Sequence, residues 1–261
     1  MVELLTSASA GVRIVTLHGT PDLARAARLL RRVWQAGPGD DPPLALDVMC
    51  ALAHTGGYIG GAYLDGELAG VAAGFLAEGA GLHSHVAGVV PEAQGRGVGK
   101  ALKAHQRAWA AERGLTGVSW TFDPLVRRNA YFNLNRLGAT ADAYLPDFYG
   151  PMSDGINDGD VSDRLFVTWP IDAGPIDVED GFAAAVPILD ETGAVRDAGS
   201  APRLRCPTPP DVERLRRDDP AAARRWRAAL GTALGGALAD GYRITGFTKS
   251  GWYLLERDDA R

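Results

Sequence analysis

The spacing of apolar residues predicts a mixed order of strands and helices over the first 145 residues. Short runs in which apolar residues alternate with polar ones favour strands, and longer runs with helical spacing favour helices. Thr20 and Pro21 supply an N-cap and a first-turn proline, and Asp65-Gly66 is a tight-turn signal between two strands. Strands are predicted at residues 12–17, 58–64, 67–76, 82–90, 117–122 and 141–145, and helices at residues 20–36, 44–56, 100–113 and 129–137.

The chain changes character after Gly150. Residues 151–163 are rich in Gly, Asp, Asn and Ser, which predicts a long loop or linker. Farther along, the pattern predicts one helix from Asp219 to Gly241 and short strands around it. We therefore expect two parts: residues 1–150, and residues 151–261 as a smaller α+β unit that serves as a lid or substrate domain. The short strands are predicted at residues 165–170, 187–189, 203–205, 242–247 and 252–255.

The composition is that of an ordinary globular protein. Of 261 residues, 46% are hydrophobic and 23% are charged, and the formal net charge is −5. The mildly acidic balance gives no reason to expect nucleic acid or an anionic membrane as a partner. Cys50 and Cys206 are isolated, which predicts neither a disulfide framework nor a metal site and favours a reducing cytoplasm. With no secretion signal and no long apolar run, we expect neither export nor membrane insertion.

A glycine-rich turn joins a predicted strand to a predicted helix in the segment from Val89 to Lys100. Glycines let consecutive N–H groups point toward one place, and the first turn of a helix adds free donors and the positive end of its dipole. Such a turn suits a pyrophosphate, although a plain tight connection is the alternative. A P-loop is excluded, because Gln94 stands in place of its first glycine and Ala101 in place of its Ser or Thr. A dinucleotide fingerprint also fails, because its third glycine is replaced by Lys100 or Leu102.

The pattern Q-x-x-G-x-G does fit the segment, with Gln94, Gly97 and Gly99 after a strand that ends at Pro91. It resembles the coenzyme A loop of the GCN5-related N-acetyltransferase (GNAT) superfamily, and the order of elements over residues 11–150 is similar to that of the superfamily. The resemblance implies an α/β fold with a mixed, mostly antiparallel sheet, helices on both faces and splayed central strands. It also implies acetyl-CoA or another short acyl-CoA as co-substrate, and no metal.

The resemblance further implies where the co-substrate binds. The pantetheine arm would pair with the backbone of the fourth strand, in the gap that separates it from the fifth. The pyrophosphate would lie on the amides of the glycine loop, with Arg96 or Lys100 as a charged partner. Asn129 is expected to reach the same co-substrate. The predicted cofactor-binding residues are Val89, Val90, Gln94, Gly95, Arg96, Gly97, Val98, Gly99, Lys100 and Asn129.

The implied reaction is attack of an amine on a thioester, with a backbone N–H near Val89 stabilising the oxyanion. Because an amine with a pKa like that of lysine must first lose a proton, a base or a water chain is needed. His83 and His85 alternate with Ser84 along the fourth strand, so both histidines are predicted on one face. Hydrogen bonding within the sheet is the alternative for each histidine, and Glu78 is a further candidate base.

The position of the usual general acid differs from the family pattern. Family members often place a tyrosine four residues before the glycine that ends the short helix, but here Leu134 stands four residues before Gly138. Tyr131, three residues earlier, could protonate the departing thiolate only if the helix is rotated or offset. Packing is the alternative role for Tyr131.

Three charged residues are candidate substrate contacts. Asp123 could bind a substrate ammonium, or it could be the acceptor of local hydrogen bonds in an Asp-Pro turn. Arg127 and Arg128 could clamp a substrate carboxylate, although exposed arginines are usually solvated.

The whole chain resembles a group of uncharacterised bacterial acyltransferases, and some relatives are associated with N-acylation of amino acids, including succinyl transfer. We therefore expect transfer of an acetyl or succinyl group to the amine of a small metabolite, such as an amino acid, by a monomer or homodimer. A non-catalytic acyl-CoA-binding module, supported by Leu134, is the alternative. Acylation of protein or peptide amines is a third hypothesis, and it requires an open groove.

Overall fold

A computed structural model of the chain describes residues 11–37, 39–79, 81–150, 160–178, 184–190, 192–197 and 199–257. These residues form two compact units, and the boundary between the units lies between Trp120 and Thr121. The predicted division after Gly150 separates the family-like part of the chain from the part that follows, and it stays a prediction. The predicted loop at residues 151–163 lies mostly outside the described residues.

All elements predicted for the first unit are present, with ends that differ by a few residues. Helix α3 begins two residues earlier than predicted, because Gly97 adopts the left-handed conformation directly before it. Strand β5 begins in the first unit, and its last two residues belong to the second. The elements are β1 (Val12–Thr16), α1 (Thr20–Val33), α2 (Leu46–His54), β2 (Tyr58–Leu64), β3 (Glu67–Ala77), β4 (Gly81–Val89), α3 (Val98–Glu112) and β5 (Gly117–Phe122).

The first unit is built on a mostly antiparallel sheet. Strands β1 to β4 pair antiparallel in chain order, and β5 pairs parallel with β4. The tight turn between β2 and β3 has positive φ angles at Asp65 (54°) and Gly66 (87°), which match the type I′ turn of a two-residue hairpin. The predicted α/β fold class is confirmed by this arrangement.

Two glycines show that helices cover both faces of this sheet. A Cβ on Gly70 of β3 would meet Val98 and Leu102 of α3, at 2.9 and 3.1 Å. A Cβ on Gly88 of β4 would meet Trp34 at 2.7 Å, directly after α1. Since Gly88 lies next to the partner of Gly70 in the β3–β4 ladder, the two glycines face opposite sides. Helix α3 therefore packs on one face of the sheet and α1 on the other.

Strand β4 contains a β-bulge at His85. Ala73 of β3 pairs with Val86, and the next residue, Gly74, pairs with Ser84, so His85 is the extra residue. A bulge interrupts the strict alternation of side chains. Ser84 consequently lies on the face covered by α3, where its hydroxyl contacts α3 side chains, whereas Gly88 faces α1.

The second unit contains a hairpin, a four-stranded sheet and several helices. Strands β6 and β7 pair antiparallel, and the second sheet has the order β10-β11-β9-β8. The predicted helix from Asp219 to Gly241 is interrupted by a π-helical segment at Gly231–Gly235, and α5 was not predicted. The elements are α4 (Arg127–Ala130), the π-helical segment Tyr131–Leu137, β6 (Thr140–Leu145), β7 (Arg164–Pro170), β8 (Val186–Pro187), β9 (Arg203–Pro207), α5 (Val212–Asp218), α6 (Pro220–Leu230), α7 (Gly236–Ala239), β10 (Tyr242–Phe247) and β11 (Trp252–Arg257).

Within the described ranges, no helix combines the length and the hydrophobicity needed to cross a membrane. In the same ranges, no group of three or more His, Cys, Asp or Glu side chains is arranged to hold a metal ion.

Candidate active site

The glycine loop presents a row of backbone donors. Gly95 and Gly97 have φ angles of 76° and 83°, in the left-handed region that favours glycine. Among the described residues, no hydrogen bond is formed by the N–H groups of Gly95, Gly97, Val98, Gly99 and Lys100. The last three of these groups begin α3, where no residue of the preceding turn accepts from them. This set of donors fits an anion such as a pyrophosphate.

The side chains of the loop leave its donors accessible. Arg96 forms an exposed ion pair with Asp65 at 3.0 Å, and such pairs are weak enough to exchange for another anion. Gln94 donates to the carbonyl of Val89 at 3.4 Å, and Lys100 is exposed. A Cβ on Gly99 would only touch Val89, at 3.9 Å, so this glycine is not required by packing.

The parallel pairing of β4 and β5 is short. Only three pairs are formed, from Gly81 with Gly117 to His83 with Ser119, although β4 continues to Val89. The N–H of Val90 donates to the carbonyl of Ala69, on the β3 side. Because successive residues of a strand direct their backbone groups to alternate edges, Val89 presents its N–H and C=O toward the open edge. Val89 is thus placed to pair with an extended ligand, whereas the N–H of Val90 is already used.

His83 and His85 lie close together on the side of the sheet that faces away from α3. The ring of Phe75 on β3 lies 5.2 Å from the His83 ring and 5.8 Å from the His85 ring. His83 Nδ1 is 3.1 Å from the hydroxyl oxygen of Ser119, which is its partner across the β4–β5 ladder. Burial lowers the pKa of both histidines, and the neighbouring His85 and Lys103 lower that of His83 further. Both rings are therefore neutral near pH 7 and able to accept a proton.

Lys103 is a buried residue of the first unit that the sequence analysis did not single out. Its side chain is only 7% exposed, and burial lowers its pKa to about 7. Its ammonium donates to the Ser84 hydroxyl at 3.0 Å and lies 3.6 Å from the centre of the Trp120 ring. Glu78, the further candidate base, lies at the end of the β3 strand in an exposed turn.

In the second unit, Asp123 lies in a buried cluster of charges. Its carboxylate accepts hydrogen bonds from Arg216 and Arg227, and both arginines also bind Asp160. Although burial would raise the pKa of Asp123, Arg227 and Arg216 outweigh that effect and lower it to about 2. Asp123 also accepts from the N–H of Leu125 at 2.9 Å, as expected of an Asp-Pro turn. These contacts use the carboxylate oxygens without any substrate, so the turn role describes Asp123 better than an ammonium contact.

The two arginines predicted as a carboxylate clamp both have partners in the second unit. Arg127 donates through Nε to the Thr208 hydroxyl at 3.0 Å and to the Thr208 carbonyl, and its guanidinium lies against Gly251. Arg128 forms a two-point ion pair with Glu213, with Nη2 at 2.6 Å from the carboxylate. Arg128 is the more exposed of the two side chains and therefore the one that could exchange its partner for a ligand.

The helix that carries Tyr131 has an irregular geometry. The segment Tyr131–Leu137 is π-helical, so side chains along it are offset from their positions in an α-helix. Leu134 is 2% exposed and belongs to the core, whereas Tyr131 is half-buried with the Arg136 guanidinium 5.5 Å from its ring. Asn129 is also half-buried. The helix that carries Tyr131 is thus irregular, and the role of Tyr131 as a general acid stays a prediction.

The model of the acetyltransferase (GNAT) family matches residues 9–136. Residues 9–136 therefore form a domain of this family, and the predicted family is confirmed. The chain is accordingly an N-acetyltransferase whose co-substrate is acetyl-CoA or another short acyl-CoA. No curated protein sequence matches the chain.

Solved structures of the superfamily share this fold at low sequence identity. YncA from Salmonella typhimurium, solved with its cofactor acetyl-CoA, is 17% identical, with a TM-score of 0.50 over 66% of this chain and 99% of its own. An N-acetyltransferase from Staphylococcus aureus Mu50 is 13% identical, with a TM-score of 0.50 over 62% of this chain and 99% of its own. The ribosomal-protein-S18-alanine N-acetyltransferase from Escherichia coli is 19% identical, with a TM-score of 0.49 over 64% and 99% of the two chains. About a third of this chain has no counterpart in these three proteins.

Proposed function

We propose that the protein transfers an acetyl or succinyl group from coenzyme A to the amine of a small metabolite, such as an amino acid, by direct attack on the thioester. The observation that supports this most strongly is the loop that follows β4. Among the described residues, five N–H groups of this loop form no hydrogen bond, and β4 pairs with β5 only as far as His83. A pyrophosphate and an extended pantetheine arm have the chemistry that these two features require.

The donor would be held chiefly by backbone groups. The loop amides bind the pyrophosphate, and Arg96 and Lys100 supply positive charge beside it. The N–H and C=O of Val89 pair with an amide of the pantetheine arm. A backbone N–H in the same part of β4 stabilises the negative charge that develops on the thioester oxygen. Backbone N–H groups need no side-chain ordering, so they are already arranged before the acyl-CoA binds.

The two histidines are the candidate bases. A neutral imidazole can accept the proton that the attacking amine must lose, and both histidines have a lowered pKa. His83 has the more defined orientation, because its Nδ1 lies 3.1 Å from the hydroxyl oxygen of Ser119. Tyr131 is the candidate acid for the departing thiolate.

The proposed acceptor follows from the exposed ion pair of Arg128. Arg128 could exchange Glu213 for the carboxylate of an amino acid, because its ion pair is exposed. Arg127 and Asp123 instead hold parts of the second unit together through the contacts described above. A small amine is the proposed acceptor, and acylation of peptide amines, which requires an open groove, is the competing hypothesis.

A second candidate function is acyl-CoA binding without turnover. The buried Leu134 favours it, because a leucine cannot protonate a thiolate. Proximity and backbone electrostatics supply much of the acceleration in acyl transfer, so one missing acid need not abolish it. Release of free thiol from acetyl-CoA or succinyl-CoA, measured across a panel of amines, separates the two functions. Tight binding of acyl-CoA with no thiol release for any amine would favour the binding module.

Calorimetric titration tests the loop directly. Coenzyme A, acetyl-CoA, succinyl-CoA, NADPH and ATP are titrated into the wild type and the Gly97→Asp variant. We expect binding of the coenzyme A series alone, and its loss in the variant, because the new carboxylate repels the pyrophosphate.

Gly114→Asp is the matched control for this titration. Gly114 follows the other end of α3 and has a φ of 69° with open space around it, so the strain of the substitution is comparable. The Gly114→Asp variant should still bind coenzyme A. Absence of coenzyme A binding in the wild type, a preference for NADPH or ATP, or equal losses in both variants would overturn the proposal.

A further inference from the structure

A buried ammonium group lies at the point where β4 and β5 part. The last pair of the ladder joins His83 to Ser119, and the next residues on the two strands are Ser84 and Trp120. Lys103 Nζ contacts both of them, at 3.0 Å from the Ser84 hydroxyl and 3.6 Å from the Trp120 ring centre. The bulge at His85 makes this contact feasible, because it turns Ser84 toward α3. The ammonium therefore bridges the two strands at the closed end of the gap between them.

This ammonium has no anionic partner in the part of the chain that the structure describes. Lys103 forms no ion pair there, and burial is the sole cause of its lowered pKa. The Ser84 hydroxyl donates a hydrogen bond to Gln106 Oε1 at 3.1 Å, so it accepts from Lys103 as a neutral group. A protonated lysine has three donors, and the Ser84 hydroxyl and the Trp120 ring engage two. Buried cations are usually paired with a carboxylate, so the remaining donor indicates a binding capacity for an anion.

We propose that Lys103 binds the carboxylate at the far end of the acyl chain, so that the preferred donors are acyl-CoA thioesters of dicarboxylic acids. This inference rests on the proposed function, because it assumes that the donor lies in the gap between β4 and β5. From Val89 to Ser84 the strand spans five residues, roughly 17 Å at about 3.3 Å per residue. An arm that enters at the glycine loop and runs along β4 thus directs its acyl end toward Lys103.

The surroundings of Lys103 suit a carboxylate better than a neutral chain end. A carboxylate would accept a charge-assisted hydrogen bond from Nζ beside the buried Trp120 ring, where such bonds are stronger than in water. Its charge would also favour the protonated lysine, whose pKa burial has lowered. A methyl group in the same place would give Lys103 no anion, and the lysine would then lose its proton above about pH 7. We expect a preference of about 10- to 100-fold for a charged over a neutral acyl end.

The test compares the binding of succinyl-CoA and butyryl-CoA, because their acyl chains have equal length and differ in the terminal carboxylate. Both are titrated calorimetrically, with acetyl-CoA, into the full chain without an acceptor. The variants are Lys103→Met, which suits a buried site, and Lys103→Gln, which keeps a donor for Ser84. Lys249→Met is the matched control, since Lys249 is exposed in the turn between β10 and β11. The comparison of the two donors in the wild type requires no variant, so poor folding of a variant leaves the test intact.

We expect the wild type to bind succinyl-CoA about tenfold or more tightly than butyryl-CoA. Both Lys103 variants should lose that preference while they keep their affinity for acetyl-CoA, and Lys249→Met should keep the preference. Equal binding of the two donors by the wild type, or an unchanged preference in the Lys103 variants, would overturn the inference and leave the proposed function intact. An equal loss for all three donors would indicate a general role of Lys103 and would also overturn it. Failure of the wild type to bind any acyl-CoA would refute the proposed function itself.

Discussion

The two compact units use their polar groups in opposite ways. In the first unit, the loop after β4 keeps five N–H groups without acceptors, and Lys103 is buried without an anionic partner among the described residues. In the second unit, the buried Asp123 and Asp160 are matched by Arg216 and Arg227. Burial of a polar group is costly unless it is paired. Polar groups without a partner therefore indicate a ligand-binding site, and paired buried charges indicate a structural role.

The largest effect on stability is expected from a change in the buried charge cluster of the second unit. Arg227→Leu should lower the free energy of unfolding by about 3–5 kcal/mol, because it leaves two buried carboxylates with one guanidinium. Urea unfolding of the full chain measures it. Arg225→Leu, on the same helix, removes an exposed ion pair with Asp219 and should cost less than about 1 kcal/mol. Similar losses of stability in both variants would show that the buried charge cluster contributes no more than an exposed ion pair does.

A large effect on rate is expected at the histidines of the first unit. His83→Gln should lower kcat about 100-fold with little change in KM, because a general base contributes about 10²–10⁴-fold. Since burial lowers the pKa of His83, the wild type should keep its activity below pH 6.5 and lose it only at more acidic pH. His54→Gln, at the exposed end of α2, is the control. If kcat falls in His85→Gln instead, His85 is the base. Normal rates in both variants would show that neither histidine is the base.

A moderate effect is expected in the pH dependence of stability. The pKa of Lys103 is about 7 in the folded chain and about 10.4 in the unfolded chain. Between these values the unfolded chain binds more protons, so stability rises with pH and is lost as the pH falls through about 7. From pH 7 to 8.5, the wild type should gain about 1–2 kcal/mol relative to Lys103→Met. Parallel unfolding curves for the two proteins at both pH values would argue against a buried neutral lysine.

The smallest effect is expected at Arg128. If this side chain exchanges Glu213 for a substrate, Arg128→Ala should raise KM severalfold for amines that carry a carboxylate and spare amines that lack one. Glu213→Gln should do the reverse, because it frees the guanidinium. Steady-state kinetics with a pair of such amines measures both effects. An equal change for both amine classes would place Arg128 with the structural arginines of the second unit.

Local sequence signals were sufficient for the first unit and for most of the second, where helix α5 and the π-helical geometry were missed. Apolar periodicity and turn residues predicted β1 to β5, and the spacing of Gln94, Gly97 and Gly99 predicted the loop. Helix α5 was missed because its apolar stripe is short, and Asp211 acts as its N-cap only once the helix exists. The π-helical segment at Gly231–Gly235 was missed because the ring of Tyr144, distant in sequence, lies against it.

The candidate site was predictable only where the backbone itself binds. Lys103 was overlooked because a lysine on an amphipathic helix is normally solvated, and its burial follows from a bulge that no local pattern indicates. The partners of Asp123 lie about a hundred residues away in sequence. Long-range charge pairing of this kind leaves no periodic signal along the chain.

The left-handed glycines of the loop have a consequence for how the site tolerates change. Recognition by amides depends on the path of the main chain, so most side chains in the loop are free to vary. In a library that samples every substitution from Gln94 to Lys100, Gly95 and Gly97 should be the least permissive positions. Gly99, whose Cβ would meet only an ordinary contact, should accept alanine. A donor site of this kind can persist while the surrounding sequence drifts.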